Sequence, residues 1–330
     1  MKRTLGQFPA FWLNDQWPAR VLAPLGRLYG WFMQKRREYY LSGRFSVVSL
    51  DVPVVVVGNI FVGGTGKTPL VVWLVEAARE RGFNPGVILR GYGGQAKKPR
   101  LVTAQSDPLD VGDEAVLIAQ RVACPVAIGR DRVAAARCLI EHATVDLIIS
   151  DDGLQHYKLG RDVEIAVIDG ARGLGNRRCL PAGPLRECPA RLTGVQLVVA
   201  NGPAVPESDG QFVLAPGILR PLRPEGSDTP PVPGEAVHAV AGIGHPDRFF
   251  DMLLSLNYKV IPHAFADHQV YQAADLAFDD SLPIFMTEKD AVKCQSFAPS
   301  DTWVLPVTAQ PDTATKAKLI NLLDAIKERE

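Results

Sequence analysis

Gly63-Gly64-Thr65-Gly66-Lys67-Thr68 packs three glycines, a lysine and two threonine hydroxyls into six consecutive positions. That set suits phosphate. The glycines remove the Cβ atoms that would hold backbone N–H groups away from phosphate oxygens, Lys67 adds a cation for β- and γ-phosphates, and Thr68 offers a hydroxyl to Mg²⁺. The strict phosphate-loop pattern has a glycine five residues before Gly66, where this chain has Phe61. A glycine-rich turn without a ligand is the plain alternative, but the apolar run 52–57 ahead and the helical pattern behind supply the context the motif needs.

A second run, Asp151-Asp152-Gly153-Leu154-Gln155-His156, closes the apolar stretch 145–150. By itself Asp-Asp-Gly is an ordinary turn. Beside a phosphate loop, carboxylates at the end of a strand are what Mg²⁺ requires, and either Asp151 or Asp152 suits that role. Gly112-Asp113-Glu114 reads first as a helix start, where acids meet the favourable end of the dipole. In a phosphoryl-transfer enzyme with a hydroxyl acceptor, Asp113 is also a candidate base, and so is His268 beside Asp267. Arg90-Gly91-Tyr92-Gly93, Gly129-Arg130-Asp131-Arg132 and the proline-framed loop 180–187, with Arg186, offer guanidinium forks suited to phosphate. His245 and Thr287-Glu288-Lys289-Asp290 carry no signal beyond possible helix starts.

The elements that must hold these groups follow from periodicity. Strands are expected at 52–58, 86–90, 125–128, 145–150, 163–168 and 196–200, and helices at 67–81, 112–122 and 130–141. Alternation of this kind gives an α/β fold with a mainly parallel sheet flanked by helices. A proline- and glycine-rich stretch, 206–234, reads as a linker with a short strand near 211–215, and 235–330 as a second, smaller α/β domain. Strands there are expected at 236–242, 258–262, 282–286 and 303–307, and a terminal helix at 312–328 that could pack on either domain. The core domain spans 45–205.

Composition describes an ordinary globular chain: 330 residues, 47% hydrophobic and 22% charged, with no net charge. No global basic field argues for nucleic acid. Five scattered cysteines without a Cys-x-x-Cys pair fit a reducing compartment and no zinc site.

Residues 1–44 are the unusual region. Val21, Leu22, Leu25, Leu28, Tyr29, Phe32 and Met33 recur at helical spacing, with Trp12, Trp17 and Trp31 nearby and Lys35-Arg36-Arg37 and Arg44 following. No apolar run reaches the ~20 residues that span a bilayer. Two readings stand: a helix lying in the interface of an anionic membrane, or one packed on the protein's own core.

Taken together, the runs 57–59, 62–69, 90–93, 112–114, 151–156, 180–187 and 267–268 closely resemble the tetraacyldisaccharide 4′-kinases, the lipid A 4′-kinase family of Gram-negative bacteria, over most of the chain. The resemblance implies a membrane-associated kinase moving the γ-phosphoryl group of ATP to the 4′-hydroxyl of tetraacyldisaccharide 1-phosphate. It would work at the cytoplasmic face of the inner membrane. By the family pattern Asp113 is the catalytic base, paired with His268 and supported by Glu114. Gly63 to Thr68 hold the nucleotide, Thr68, Asp151 and Asp152 the metal, and Arg90, Gln155, His156 and Arg186 the substrate. A non-glycine residue at 61 agrees with the family, whereas Arg177 stands where the family commonly has glycine. A four-chain lipid cannot leave a bilayer cheaply, which favours the membrane reading of the N-terminal helix. The rival function is a membrane-surface P-loop ATPase switch without small-molecule phosphorylation. Proteins resembling the partitioning ATPases carry a lysine where this chain has Val62.

Overall fold

Four consecutive valines and a glycine, Val54–Gly58, form strand β1, buried on both faces as the centre of a parallel sheet requires. The computed structural model describes residues 9–223 and 229–328; residues 1–8 of the expected N-terminal region, 224–228 of the expected linker and 329–330 of the expected second domain lie outside the described residues. Seven strands follow in turn: β2 (Pro85–Leu89), β3 (Arg100–Val102), β4 (Val126–Ile128), β5 (Leu147–Asp151), β6 (Val163–Asp169), β7 (Leu197–Asn201) and β8 (Gly210–Pro216). A second sheet takes β9 (Arg220–Pro221), β10 (Ala236–Ala241), β11 (Lys259–Ala264), β12 (Ile284–Thr287) and β13 (Thr302–Leu305) before β14 (Val307–Pro311) returns to the first. The orders are β14-β8-β7-β6-β1-β5-β2-β4-β3 and β11-β10-β12-β13-β9.

Helices α1 (Ala10–Leu13) and α2 (Trp17–Leu41) precede the sheets. With the first sheet go α3 (Lys67–Glu80), α4 (Pro108–Val111), α5 (Asp113–Arg121) and α6 (Arg132–His142); with the second, α7 (Pro246–Ser255) and α8 (Glu288–Cys294). The terminal helix, α9 (Thr313–Lys327), packs on the first sheet beside α3. Because the pleat alternates, Val55 and Val57 face one core with Leu70 and Leu74 of α3, while Val54 and Val56 face another with Val133 and Leu139 of α6. Both faces are covered, which is the α/β architecture expected.

Two expectations change. Residues 210–216 are not linker: β8 pairs with β7 and β14 inside the nine-stranded sheet. The single strand expected over 303–307 is two. Pro306 has no N–H for a ladder, its carbonyl accepts from Gly217 N–H at 2.8 Å, and the chain crosses there from one sheet to the other.

Helix α2 divides the expected stripe. Its buried side is Ala19, Ala23, Gly26 and Gly30, small residues at spacings of four, three and four that let the backbone approach the 179–188 loop. A Cβ at Gly30 would lie 2.8 Å from Cys188 Sγ, and one at Gly26 2.8 Å from Ala182 Cβ. Leu22, Tyr29 and Met33 are half-buried, whereas Val21, Leu25, Leu28, Trp31 and Phe32 point outward, from 55% exposed at Leu25 to 68% at Val21. The basic end is engaged by partners. Lys35 pairs with Glu38 at 2.6 Å, and Arg36 donates to the Gln155 carbonyl at 2.9 Å while lying over Tyr157.

Candidate active site

Strand register assembles the first half of the site. In the β1–β5 pair Val57 stands beside Asp151, and in the β6–β7 pair Asp169 stands beside Asn201. All are parallel strands, so their C-terminal ends open on one edge, at the point where chain order reverses across β1.

The glycine loop is tied down from both sides. Asn59 Nδ2 donates to Gly63 O at 3.1 Å and Thr65 Oγ1 at 3.2 Å, and Asn201 Nδ2 donates to Thr65 O at 3.1 Å. Gly66 precedes α3 with φ +77°, and a Cβ there would lie 2.2 Å from Asn201 Nδ2, so conformation and space both demand glycine. Lys67 and Thr68 open α3 at its positive end. Phe61 is buried. It bridges to Leu185 while Val62 N–H donates to Pro184 O at 2.9 Å, so this half of the loop is an extended strap whose side chain enters the core.

Thr68 Oγ1 donates to Asp151 Oδ2 at 3.3 Å, and the buried Asp151 Oδ1 has no hydrogen-bond partner among the described residues. Burial pushes the Asp151 carboxyl up to about 7 against the pull of Lys67, with the Glu114 and Asp152 charges adding to the rise. Asp152 is the opposite case. Burial opposes its charge, but Lys67 at 3.4 Å and Arg186 at 3.0 Å hold it well below the usual carboxylate range. Its φ of +52° is a conformation that a non-glycine residue keeps only where its surroundings enforce it. Mg²⁺ takes one or two carboxylates plus phosphate oxygens and water. Thr68 Oγ1 and the half-satisfied Asp151 fit that donor set, while Asp152 already answers two cations.

The second half comes from across the cleft. His268 Nδ1 lies 3.1 Å from Asp113 Oδ2, and Asp113 Oδ1 accepts the Glu114 N–H at 2.9 Å. His268 also has a left-handed backbone, φ +59°. Burial pushes Asp113 up, but the His268 bond and the Lys289 and Lys293 charges outweigh it and leave the carboxyl below its ordinary value. The same bond to Asp113 raises His268 above the ordinary imidazole value, against burial and the Lys289 charge.

The two halves line one cleft of about 870 Å³. The loop 63–68, Asp151, Asp152, Glu114, Arg90, Gln155, Arg186 and His268 all border it. Asp113 sits just behind His268, 5% exposed. His156 is not brought to the cleft: its Nε2 accepts the Arg132 N–H at 3.2 Å, and burial together with the Arg132 charge pushes it down to about 4. Gln155 is partly committed, donating to Asn59 O and Glu187 Oε2, both at 3.0 Å.

Several cleft residues had no sequence signal. Lys289 reaches Glu114 and Asp267 at 3.1 Å each, and Arg248 reaches Asp169 at 2.5 Å; both come from the second sheet to side chains around the site. Asp169 also holds Arg172, which donates to Gly64 O. Asn59 and Asn201 were more legible, since each is the polar residue ending an apolar parallel strand on the ligand edge.

A family model described as tetraacyldisaccharide-1-P 4′-kinase matches residues 18–325. The chain is 54% identical over 322 residues to the tetraacyldisaccharide 4′-kinase of Alkalilimnicola ehrlichii, covering 96% of each chain. It is 52% identical to that of Halorhodospira halophila, over 98% of each. Among solved structures it is similar to LpxK of Aquifex aeolicus, an "apo" form in complex with ATP, with a TM-score of 0.78 and 26% identity across 94% of this chain and 99% of that one.

Proposed function

The chain belongs to the tetraacyldisaccharide-1-P 4′-kinase family, and from that premise we propose how its cleft carries out the reaction. The chain uses ATP to phosphorylate tetraacyldisaccharide 1-phosphate at the 4′-hydroxyl, in lipid A biosynthesis. One observation carries the assignment of roles: the phosphate loop and His268, from opposite sides, meet in a single cleft, with Asp113 hydrogen-bonded behind His268.

On this reading the backbone N–H groups of 63–68 and Lys67 bind the triphosphate. Thr68 and Asp151 would hold Mg²⁺, which when bound neutralises charge on the β- and γ-phosphates and would also relieve the desolvated Asp151. Asp152 keeps Lys67 and Arg186 oriented. The Asp113–His268 pair, with His268 at the cleft and Asp113 behind it, takes up the proton of the 4′-hydroxyl as the hydroxyl oxygen bonds to the γ-phosphorus and the bond to the β,γ-bridging oxygen breaks, leaving ADP. With its pKa held below the ordinary value Asp113 is ionised at neutral pH, and the hydrogen bond to His268 orients its carboxylate. Arg90 and Arg186 are the cleft's candidates for acceptor phosphate, with Gln155 beside them.

The assay is transfer of radiolabelled γ-phosphate from ATP to the disaccharide lipid, with a no-acceptor control. Labelled lipid that disappears in Asp113→Asn and in Lys67→Met supports the roles; full transfer by either variant overturns that residue's role.

No helix among the described residues is long and apolar enough to cross a membrane. The outward row Val21, Leu25, Leu28, Trp31 and Phe32 supports a monotopic or peripheral seat on the cytoplasmic face of the inner membrane, with anionic lipid as a partner for exposed Arg20 and Arg27.

A further inference from the structure

Lys289, the second residue of α8, presents its Nζ to three acceptors: Glu114 Oε1 at 3.1 Å, Asp267 Oδ1 at 3.1 Å and His268 Nε2 at 3.3 Å. An ammonium has three N–H donors and no lone pair, so all three contacts are donations. Burial alone would favour loss of the proton, but the Glu114, Asp113 and Asp267 carboxylates outweigh it and hold Lys289 above the ordinary lysine value. His268 Nε2 must then carry a bare lone pair. The proton of the neutral ring sits on Nδ1, the atom that faces Asp113 Oδ2.

We propose that Lys289 is a positioning residue that fixes neutral His268 in the Nδ1–H tautomer, so that the imidazole donates a hydrogen bond to Asp113. The inference rests on reading Asp113 and His268 as the acceptor-side pair.

The other groups around the ring leave Nε2 no better partner. Asp267 Oδ1 is 3.8 Å from Nε2, outside hydrogen-bond reach, and is already taken by Lys289 and the His268 backbone N–H. The Tyr92 ring lies 4.8 Å away, centroid to centroid, tilted by 56° against the imidazole. Lys293 acts on Asp113 from 3.8 Å. With the proton on Nε2 instead, Nδ1 would turn a lone pair toward the Asp113 carboxylate, and Nε2–H would point at the Lys289 ammonium. Both contacts would repel. Lys289 on α8 and His268 after β11 both go with the second sheet, whereas Asp113 and Glu114 open α5 on the other side of the cleft, so the Asp113 hydrogen bond forms only while the two sides are together.

Long-range ¹H–¹⁵N spectra of the full chain labelled in its six histidines test this, with the His268 signal assigned by its loss in His268→Asn. At about pH 8.5, where imidazoles are largely neutral, wild type is expected to give a pyrrole-type Nδ1 and a pyridine-type Nε2. Lys289→Met is expected to move the proton to Nε2, to raise the His268 pKa by removing the opposing charge, and to lower kcat about 10- to 100-fold with KM for ATP unchanged. A wild-type ring protonated on Nε2 overturns the proposal without any variant, so a Lys289→Met chain that fails to fold does not shelter it. A folded Lys289→Met that keeps the Nδ1–H pattern also overturns it. If the tautomer is as stated but Asp113→Asn and His268→Asn leave kcat intact, the acceptor-pair reading fails and the Lys289 assignment stands.

Discussion

Asp113 is 5% exposed and reaches the cleft only through its hydrogen-bonded partner, so neither member of the Asp113–His268 pair is expected to work alone. Asp113→Asn and His268→Gln should each lower kcat by about 10²- to 10³-fold, the range of general acid–base catalysis. The double variant should fall little further. Effects that multiply in kcat would separate the two residues. Arg177 is a different kind of single-residue case. It adopts φ +61° at the position where the resembling family commonly has glycine, and its guanidinium pairs with Glu207. The backbone has kept the shape that glycine takes freely, at a cost to a residue with a Cβ. Arg177→Gly is therefore expected to leave stability unchanged or raise it by up to about 1 kcal/mol. A loss beyond that in chemical denaturation would mean that the Glu207 contact outweighs the strain.

At the scale of the element, α2 has two faces with separable jobs. The small-residue face seats the helix on the 179–188 loop, which carries Arg186, and the large apolar face is left outside. Gly30→Leu should destabilise the fold by about 1–3 kcal/mol, because its side chain would meet Cys188 and Cys179 sulfur. Replacing Leu25, Leu28 and Phe32 together by serine should leave the melting temperature in place and abolish co-sedimentation with anionic vesicles. Retained binding would remove that face from the membrane account. The sequence stripe merged these faces because large apolar and aromatic residues recur at helical spacing on both. Only the position of Gly26 and Gly30, which allow the closest approach, decides which side turns inward.

At the scale of the whole molecule, the second sheet is fastened to the first by charged pairs around the cleft: Lys289 with Glu114, Arg248 with Asp169, and Arg121 with Glu288 at 2.7 Å. Glu288 is 7% exposed. Removing its partner leaves a buried charge, so Arg121→Met should cost about 3 kcal/mol; a loss under about 1 kcal/mol would show that Arg220 at 3.7 Å suffices. Local order determined much of this protein in advance. The phosphate loop, the β1 and β5 runs and the acids that end them are contiguous, and their spacing alone carries phosphate chemistry. Phe61 needed only the observation that its loop half is a strap. Partners far apart in the chain were another matter. That Asp113 meets His268, that Lys289 orders the ring between them, that Asp151 is left half-satisfied while Asp152 is claimed by Lys67 and Arg186, and that β14 and α9 return to the first sheet are all contacts between segments up to hundreds of residues apart. No periodicity records such contacts, because they are chosen by how two separately formed sheets bury their faces and pair their charges across a shared cleft.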